Sequence, residues 1–448
     1  MPVDPAGTIA AVPKTFVERA LVPNAARTSV LVVAGERASL PSWSVEDPDP
    51  ADILRAARAS GITAPFLREV RQDGDSLHDD EVRSLLEFDV ADGTATDGLT
   101  WMPFDDVLAG RLDAGPFGED VAAWVEEVRS GAVAAARADW ARPGWYARTV
   151  EWLDATMTRL GRPLIGPVEQ LSSWPVSSFL GATTDAGQVV VKASPALFAH
   201  EPALTQALHR EHPRSVPTVL AIDADRRLLV MEAFGGSFLG AEDPARWADG
   251  LVAMAGLQQS WVGRRSEAME LGVVDRSLAA LDGELESLVT DEAASPGLDA
   301  ESRDRLVANL PRYREFIARL QEGPISETLI HGDFHPWNVQ RDADRLVIFD
   351  WSDACWSHPF FDVRTCTTRT EDVAAQAAME AAYLDAWSAY ADPAALREAF
   401  ELAAPLAELH LSVSWRRLLA IFEPNVFGFV DTGVQRHLEL ALAATPTT

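Results

Sequence analysis

Three residues between His331 and Asp350, in the stretch HGDFHPWNVQRDADRLVIFD, have types and spacing suited to moving a phosphoryl group. Asp333 and Asn338 are five residues apart, close enough to share one tight loop, and Asp350 follows twelve residues later. Phosphoryl transfer needs a carboxylate to orient a hydroxyl and take its proton. It also needs hard oxygen donors to hold the magnesium that bridges the nucleotide phosphates. Asp333 is the candidate catalytic group, and Asn338 and Asp350 are the candidate metal ligands.

Presenting these groups at one point requires a loop, a hairpin turn and a strand end. The apolar run Leu346, Val347, Ile348, Phe349 reads as a buried strand entered from the polar turn 341–345. His331 fits a structural role, donating to backbone around the loop, and His335 has an equal claim to packing there. Pro336 and Trp337 are placed to fix the turn before Asn338. Beyond the strand, Asp353 reads equally as an acceptor-side group, a support of the metal loop or a solvated acid. Asp362, ahead of Val363-Arg364-Thr365, reads as a helix N-cap.

The chain contains only two lysines, Lys14 and Lys192, among 38 basic residues. A lysine kept where arginine is the rule is a candidate for chemistry that arginine cannot perform. Lys192 ends the strand-like run Gln188–Val191, after the turn Thr184-Asp185-Ala186-Gly187. Alone, this pattern is equally a strand end with a solvated lysine. Upstream of HGDxxxxN it reads as an ammonium for the α- and β-phosphates. Nine residues on, Glu201 opens the helix-like EPALTQALH, with Pro202 suited to its first turn.

On these motifs the chain resembles the aminoglycoside phosphotransferase and choline kinase family, small-molecule relatives of the protein kinases. The resemblance covers about residues 160–448 and names no substrate. It implies that Lys192 binds phosphate with Glu201 as its ion-pair partner, and that Met231-Glu232-Ala233-Phe234 is the hinge receiving the base. It makes Asp333 the catalytic residue, with Asn338 and Asp350 on Mg²⁺ and ATP or GTP as co-substrate. The nucleotide loop departs from the pattern. Ser177-Ser178-Phe179-Leu180-Gly181 holds a single glycine, so Ser177 and Ser178 become the expected phosphate-cradling residues.

At 448 residues, 47% hydrophobic and 24% charged, the chain is long enough for two or three ordinary globular domains. No apolar run approaches the roughly 20 residues of a membrane span. The N-terminus lacks the basic region and apolar core of a signal peptide. Cys355 and Cys366 give neither a disulfide framework nor zinc spacing, so a cytoplasmic setting is expected. The net charge of −30 argues against nucleic acid and anionic membranes as partners. Acidic side chains can draw in a cationic acceptor, or can serve only as solvated helix faces.

The expected architecture is α+β, a bilobal protein-kinase-like fold with an extra N-terminal α/β module. Residues 1–115 form that module, with strands near 29–34, 84–90 and 99–104 and a helix over 51–60. Its end resembles the late part of a Nudix hydrolase fold without the glutamate-rich metal helix, so an inert cap or substrate-side module is expected. A helical connector fills 116–160, broken at Pro143-Gly144, with Trp124, Trp140, Trp145 and Trp152 as packing residues. The small nucleotide lobe spans 161–235. The larger lobe, 236–448, is helical over 243–262, 275–290, 300–322, 372–390, 393–419 and from 432. His410, Trp415, Arg416 and Glu423 are candidates for an acceptor pocket, each also readable as packing or surface.

The expected function is ATP-dependent transfer of a γ-phosphoryl group to a hydroxyl of a small molecule. Amino sugars, aminoglycosides or other antibiotics, amino alcohols and sugars are the acceptors considered. Two other readings stay open: a catalytically silent nucleotide-binding module, and an active N-terminal unit with regulatory kinase lobes.

Overall fold

The structure, a computed structural model, describes residues 15–46, 50–74, 79–90, 98–293, 295, 297–423 and 432–446. The chain divides into two compact units, Met1–Pro195 with Phe422–Val426, and Ala196–Ile421 with Phe427–Thr448.

Two four-stranded sheets begin the first unit. In one, strand Thr15–Leu21 lies between Ser42–Val45, antiparallel, and Glu81–Phe88, parallel, with Phe66–Asp73 antiparallel on the outer side of Glu81–Phe88. In the other, Ser29–Val33 pairs with Leu99–Pro103 and Ala38–Ser39, and Leu112–Asp113 lies beside Ala38–Ser39. Helix Pro50–Ala59 presents Ile53, Leu54 and Ala57 on one face and buries them with Ala20, Leu86 and Phe88. That helix, PADILRAARA, contains no glutamate. The expected module strands appear as Ser29–Val33, Glu81–Phe88 and Leu99–Pro103.

Helices Gly118–Ser130 and Trp145–Arg159 follow, the first ending at Gly131 in the left-handed region. Trp124, Trp140 and Trp145 are buried, as expected of packing residues, and Trp124 Nε1 donates to Glu87 at 3.0 Å. The unit continues with three antiparallel strands, Glu169–Trp174, Ser177–Thr184 and Gly187–Ala193.

The second unit has one apolar core that draws residues from Leu204 to Leu442. Helix Glu201–Glu211 precedes the antiparallel pair Val219–Asp223 and Leu228–Glu232. Long helices then occupy Ala248–Trp261, Leu278–Thr290, Ala300–Glu322, Val373–Ala386, Pro393–Leu419 and Gly433–Ala444. Asp299, Asp372 and Asp392 cap three of them by accepting backbone N–H bonds. The helix expected from Asp275 starts later. Asp275 is drawn into a short strand beside Trp356 and pairs with Arg265 at 2.5 Å, so Ser277 becomes the cap. Among the helices sits the hairpin Val339–Asp342 and Arg345–Ile348.

Candidate active site

Strand Thr328–Ile330 delivers the chain to His331, Gly332 and Asp333. Gly332 has φ +82°, and a Cβ there would come within 2.2 Å of the Asp353 carbonyl oxygen, so no other residue fits this bend. Asp362 holds the loop from beneath. Its carboxylate accepts the backbone N–H of His331 at 2.8 Å, that of Gly332 at 2.9 Å, and Gln258 Nε2 at 2.9 Å. The N-cap role expected for Asp362 is therefore corrected: helix Phe361–Thr367 is preceded by Phe360, and Asp362 lies inside its first turn facing the loop. Two buried N–H groups that the bend leaves without a strand partner claim this carboxylate. Burial pushes Asp362 up to about 7, against the hydrogen bonds from His331, Gly332 and Gln258.

The Asp333 side chain is 39% exposed, with His335 Nε2 3.4 Å from one carboxylate oxygen and the Arg369 guanidinium 4.0 Å from the other. Desolvation raises its pKa, but His335, Arg369 and His331 together outweigh it and hold the carboxyl below its ordinary value. Burial lowers the pKa of His331, and its Nε2 donates to the Phe349 carbonyl at 3.0 Å. Asn338 ends a short 3-10 turn opened by Pro336, and its Nδ2 donates to the Asp333 carbonyl at 3.1 Å. That leaves Oδ1 as the oxygen a cation would meet. The Phe349 N–H donates to the Asn338 carbonyl at 3.1 Å, which continues the hairpin and sets Asp350 next to this pair.

Asp350 has φ +65°, uncommon for a residue other than glycine. Ser352 Oγ lies 2.7 Å from Asp350 Oδ1 and 3.1 Å from Glu201 Oε2. Glu201 is 1% exposed at the first position of its helix, where the helix dipole favours a carboxylate. On the hinge, Met231 is buried at the end of strand Leu228–Glu232, and the Glu232 N–H donates to the Thr218 carbonyl at 3.0 Å. Phe234 packs on Phe349, ring centroids 5.3 Å apart, beside Asp350.

One unit thus brings together Asp333, Asn338, Asp350 and Glu201, with Phe234 against Phe349, and the same unit holds Met231 and Glu232 at the end of strand Leu228–Glu232. Lys192, Ser177 and Ser178 belong to the other unit. There Lys192 is 2% exposed, registered opposite Phe179, with Nζ 5.8 Å from the Phe179 ring centre. Ser178 is buried and donates to the Ser172 carbonyl at 3.3 Å. Ser177 stands half-buried opposite Trp174, where the hairpin turn closes.

The family model described as "Phosphotransferase enzyme family" matches residues 172–399, half of the chain. The chain belongs to this family. No curated protein matches the sequence. Among solved structures it is similar to a macrolide 2′-phosphotransferase from Brachybacterium faecium, at 20% identity over 66% of this chain and 99% of that one, TM-score 0.43. It is also similar to a choline kinase from Streptococcus pneumoniae, at 14% identity over 66% and 100%, TM-score 0.47. A third is aminoglycoside 2′-phosphotransferase-IIIa in complex with GDP, at 18% identity over 65% and 98%, TM-score 0.46.

In this phosphotransferase the α+β, kinase-like order of elements is plain from residue 169. Three antiparallel strands ending near a lysine are followed by a helix, two more strands, and helices that precede and follow the hairpin Val339–Ile348. Of the late residues named as pocket candidates and read first as packing or surface, His410 is buried with Nε2 3.8 Å from Cys355 Sγ. Trp415 fills the space above Gly433, and Arg416 pairs with Glu284 at 2.8 Å. Glu423 belongs to the first unit, paired with Arg137 and Arg68. All four are thus engaged in packing or ion pairs. Sequence reasoning missed Arg369, Ser352 and the loop-holding role of Asp362. Only Ser352, two residues past Asp350, carried a usable signal.

Proposed function

We propose that this phosphotransferase moves the γ-phosphoryl group of ATP, or of GTP, to a hydroxyl of a small molecule. The acceptor is an amino sugar, an aminoglycoside or other antibiotic, an amino alcohol or a sugar. The observation that supports this most is Asp333: an exposed carboxylate held ionised by His335 and Arg369, on a loop whose backbone Asp362 fixes. In a loose transition state the nucleophile needs orientation more than deprotonation. Asp333 therefore aligns the acceptor hydroxyl in line with the γ-phosphorus and receives its proton as the new P–O bond forms and the bond from the γ-phosphorus to the departing nucleoside diphosphate breaks.

The donor set at the hairpin end suits Mg²⁺. Asn338 offers a carboxamide oxygen and Asp350 a carboxylate, while the described residues contain no cluster of three or more His, Cys, Asp or Glu that would hold a metal on its own. Mg²⁺ commonly takes one or two protein ligands and completes its sphere with phosphates and water. When bound it neutralises charge on the phosphate oxygens. Lys192, with Glu201 as its partner, is assigned to the α- and β-phosphates, Ser177 and Ser178 to the nucleotide loop, and Met231, Glu232 and Phe234 to the base. The acceptor and the nucleotide are the partners, and the setting is cytoplasmic. Among the described residues no helix is long and apolar enough to cross a membrane.

The test is an acceptor screen of sugars, amino sugars, amino alcohols and antibiotics with ATP and GTP, scored by nucleoside diphosphate release and by the mass of one added phosphoryl group. Asp333-dependent turnover on any acceptor supports the proposal. Nucleotide binding without Asp333-dependent hydrolysis or transfer favours the silent module.

A further inference from the structure

The hydroxyl of Ser352 stands between two carboxylates, 2.7 Å from half-buried Asp350 Oδ1 and 3.1 Å from buried Glu201 Oε2. Ser352 is 6% exposed and Glu201 1% exposed, so neither group can turn to bulk water in place of this contact. The position of Ser352 is set by its surroundings. It sits in the 3-10 turn Trp351–Asp353, entered through the left-handed backbone of Asp350 and anchored by Trp351, whose ring is fully buried and whose Nε1 donates to the Ile348 carbonyl at 3.2 Å. A serine hydroxyl carries one proton and two lone pairs, whereas an ionised carboxylate only accepts. Ser352 can therefore donate to one of these two carboxylates at a time, and the shorter distance gives the proton to Asp350.

We infer that Ser352 is a positioning residue that couples the cation ligand Asp350 to Glu201, shifting its single hydrogen bond from Asp350 to Glu201 as Mg²⁺ engages Asp350. This rests on the function proposed above. A cation on Asp350 draws carboxylate electron density toward itself and weakens that oxygen as an acceptor. The Glu201 carboxylate then becomes the better acceptor for the same proton. In that state the hydroxyl helps hold Glu201 in place for the ammonium assigned to it. Neither bond making nor bond breaking is involved beyond the turning of one O–H.

The experiment is calorimetric titration of ADP into the full chain at a series of MgCl2 concentrations, with thermal melting as the check on folding. Ser352→Ala is expected to raise the magnesium concentration needed for half-maximal tightening by about tenfold or more, the loss typical when a group supporting a metal ligand is removed. Affinity measured with EDTA should stay within about twofold. Ser352→Thr, which keeps the hydroxyl, should restore the wild-type magnesium dependence. Glu201→Gln should also alter that dependence, and the double variant should fall short of the product of the two single effects. Equal magnesium dependence in wild type and a folded Ser352→Ala overturns the inference while leaving the proposed function standing. So does an equal loss with and without magnesium, or failure of Ser352→Thr to restore. If the wild type itself binds no nucleotide with magnesium, the proposed function fails, and the coupling with it.

Discussion

In the N-terminal sheet Glu18 is 1% exposed, and its Oε2 accepts no hydrogen bond. Burial, with the charge of Glu69 close by, pushes its pKa up to about 8. Glu69 is itself pushed by burial to about 7, against a hydrogen bond with Ser84, the residue registered opposite Glu18. In the loop His331–Asp333, Asp333 is held below its ordinary value by His335, Arg369 and His331 in spite of desolvation. Glu18 is wholly out of water, whereas the Asp333 side chain keeps 39% exposure. Beside His335 and Arg369 the pKa of Asp333 is lowered, whereas burial and then the charge of Glu69 raise that of Glu18. Asp362 falls between them, raised to about 7 while accepting three hydrogen bonds. A carboxylate proposed to work on substrate needs its charge, one that holds backbone needs its oxygens, and Glu18 Oε2 accepts no hydrogen bond.

Substitutions can break this contrast, the largest effect falling where the charge is kept. Asp333→Ala should lower turnover by about 10²–10⁴-fold, the usual worth of a positioned acid or base. Nucleotide affinity should stay within a few-fold, because the carboxylate acts on the acceptor; kcat and a binding titration separate the two. Asp350→Ala should weaken magnesium-dependent nucleotide binding by more than about 100-fold, beyond the loss seen for groups that only support a ligand. Titration of ADP with and without MgCl2 measures it. Asp362→Asn turns one acceptor into a donor facing the loop's N–H groups. Leaving one of them unpaired should cost roughly 1–3 kcal/mol of stability, read by urea unfolding, and should lower kcat more than it changes KM.

The smallest effect belongs to Glu18, and its sign follows from linkage. With an unfolded value near 4.5 and a folded value of about 8, the folded chain keeps a proton that the unfolded chain has released between those limits. The stability from Glu18 is complete below pH 4.5 and drains away as pH rises to 8. Glu18→Gln should flatten that slope and raise the melting temperature at pH 8, by roughly 2–4 °C for each kcal/mol regained. Melting curves between pH 5 and 8 that stay parallel for both proteins would show that Glu18 is ionised after all, and the contrast with Asp333 would fall.

The parts legible in the sequence were those written in neighbouring residues. The hairpin that presents Asn338 and Asp350 follows from an apolar run behind a polar turn, and the helices Ala300–Glu322 and Pro393–Leu419 follow from their periodicity and capping aspartates. Asp362 was misread because its local setting, an acid ahead of a helical turn, matches a cap, while its partners lie about thirty residues upstream at His331 and Gly332. Arg369 was invisible for the same reason: one more arginine in a chain rich in them, significant only through its distance from Asp333. The strand Thr15–Leu21 was missed because a buried Glu18 interrupts the alternation that marks a strand.

The amide of Gln170 bonds both sides of one residue, its Oε1 accepting the Phe66 N–H and its Nε2 donating to the Phe66 carbonyl, each at 2.9 Å. Gln170 lies on the first strand of the nucleotide-side hairpins, and Phe66 on the N-terminal sheet. Cutting the chain after residue 115 would remove both partners of that buried amide and leave it to water. The opening quarter of this protein is thus sewn into its neighbour rather than hung beside it, and trimming it away would damage the strands that lead to Lys192.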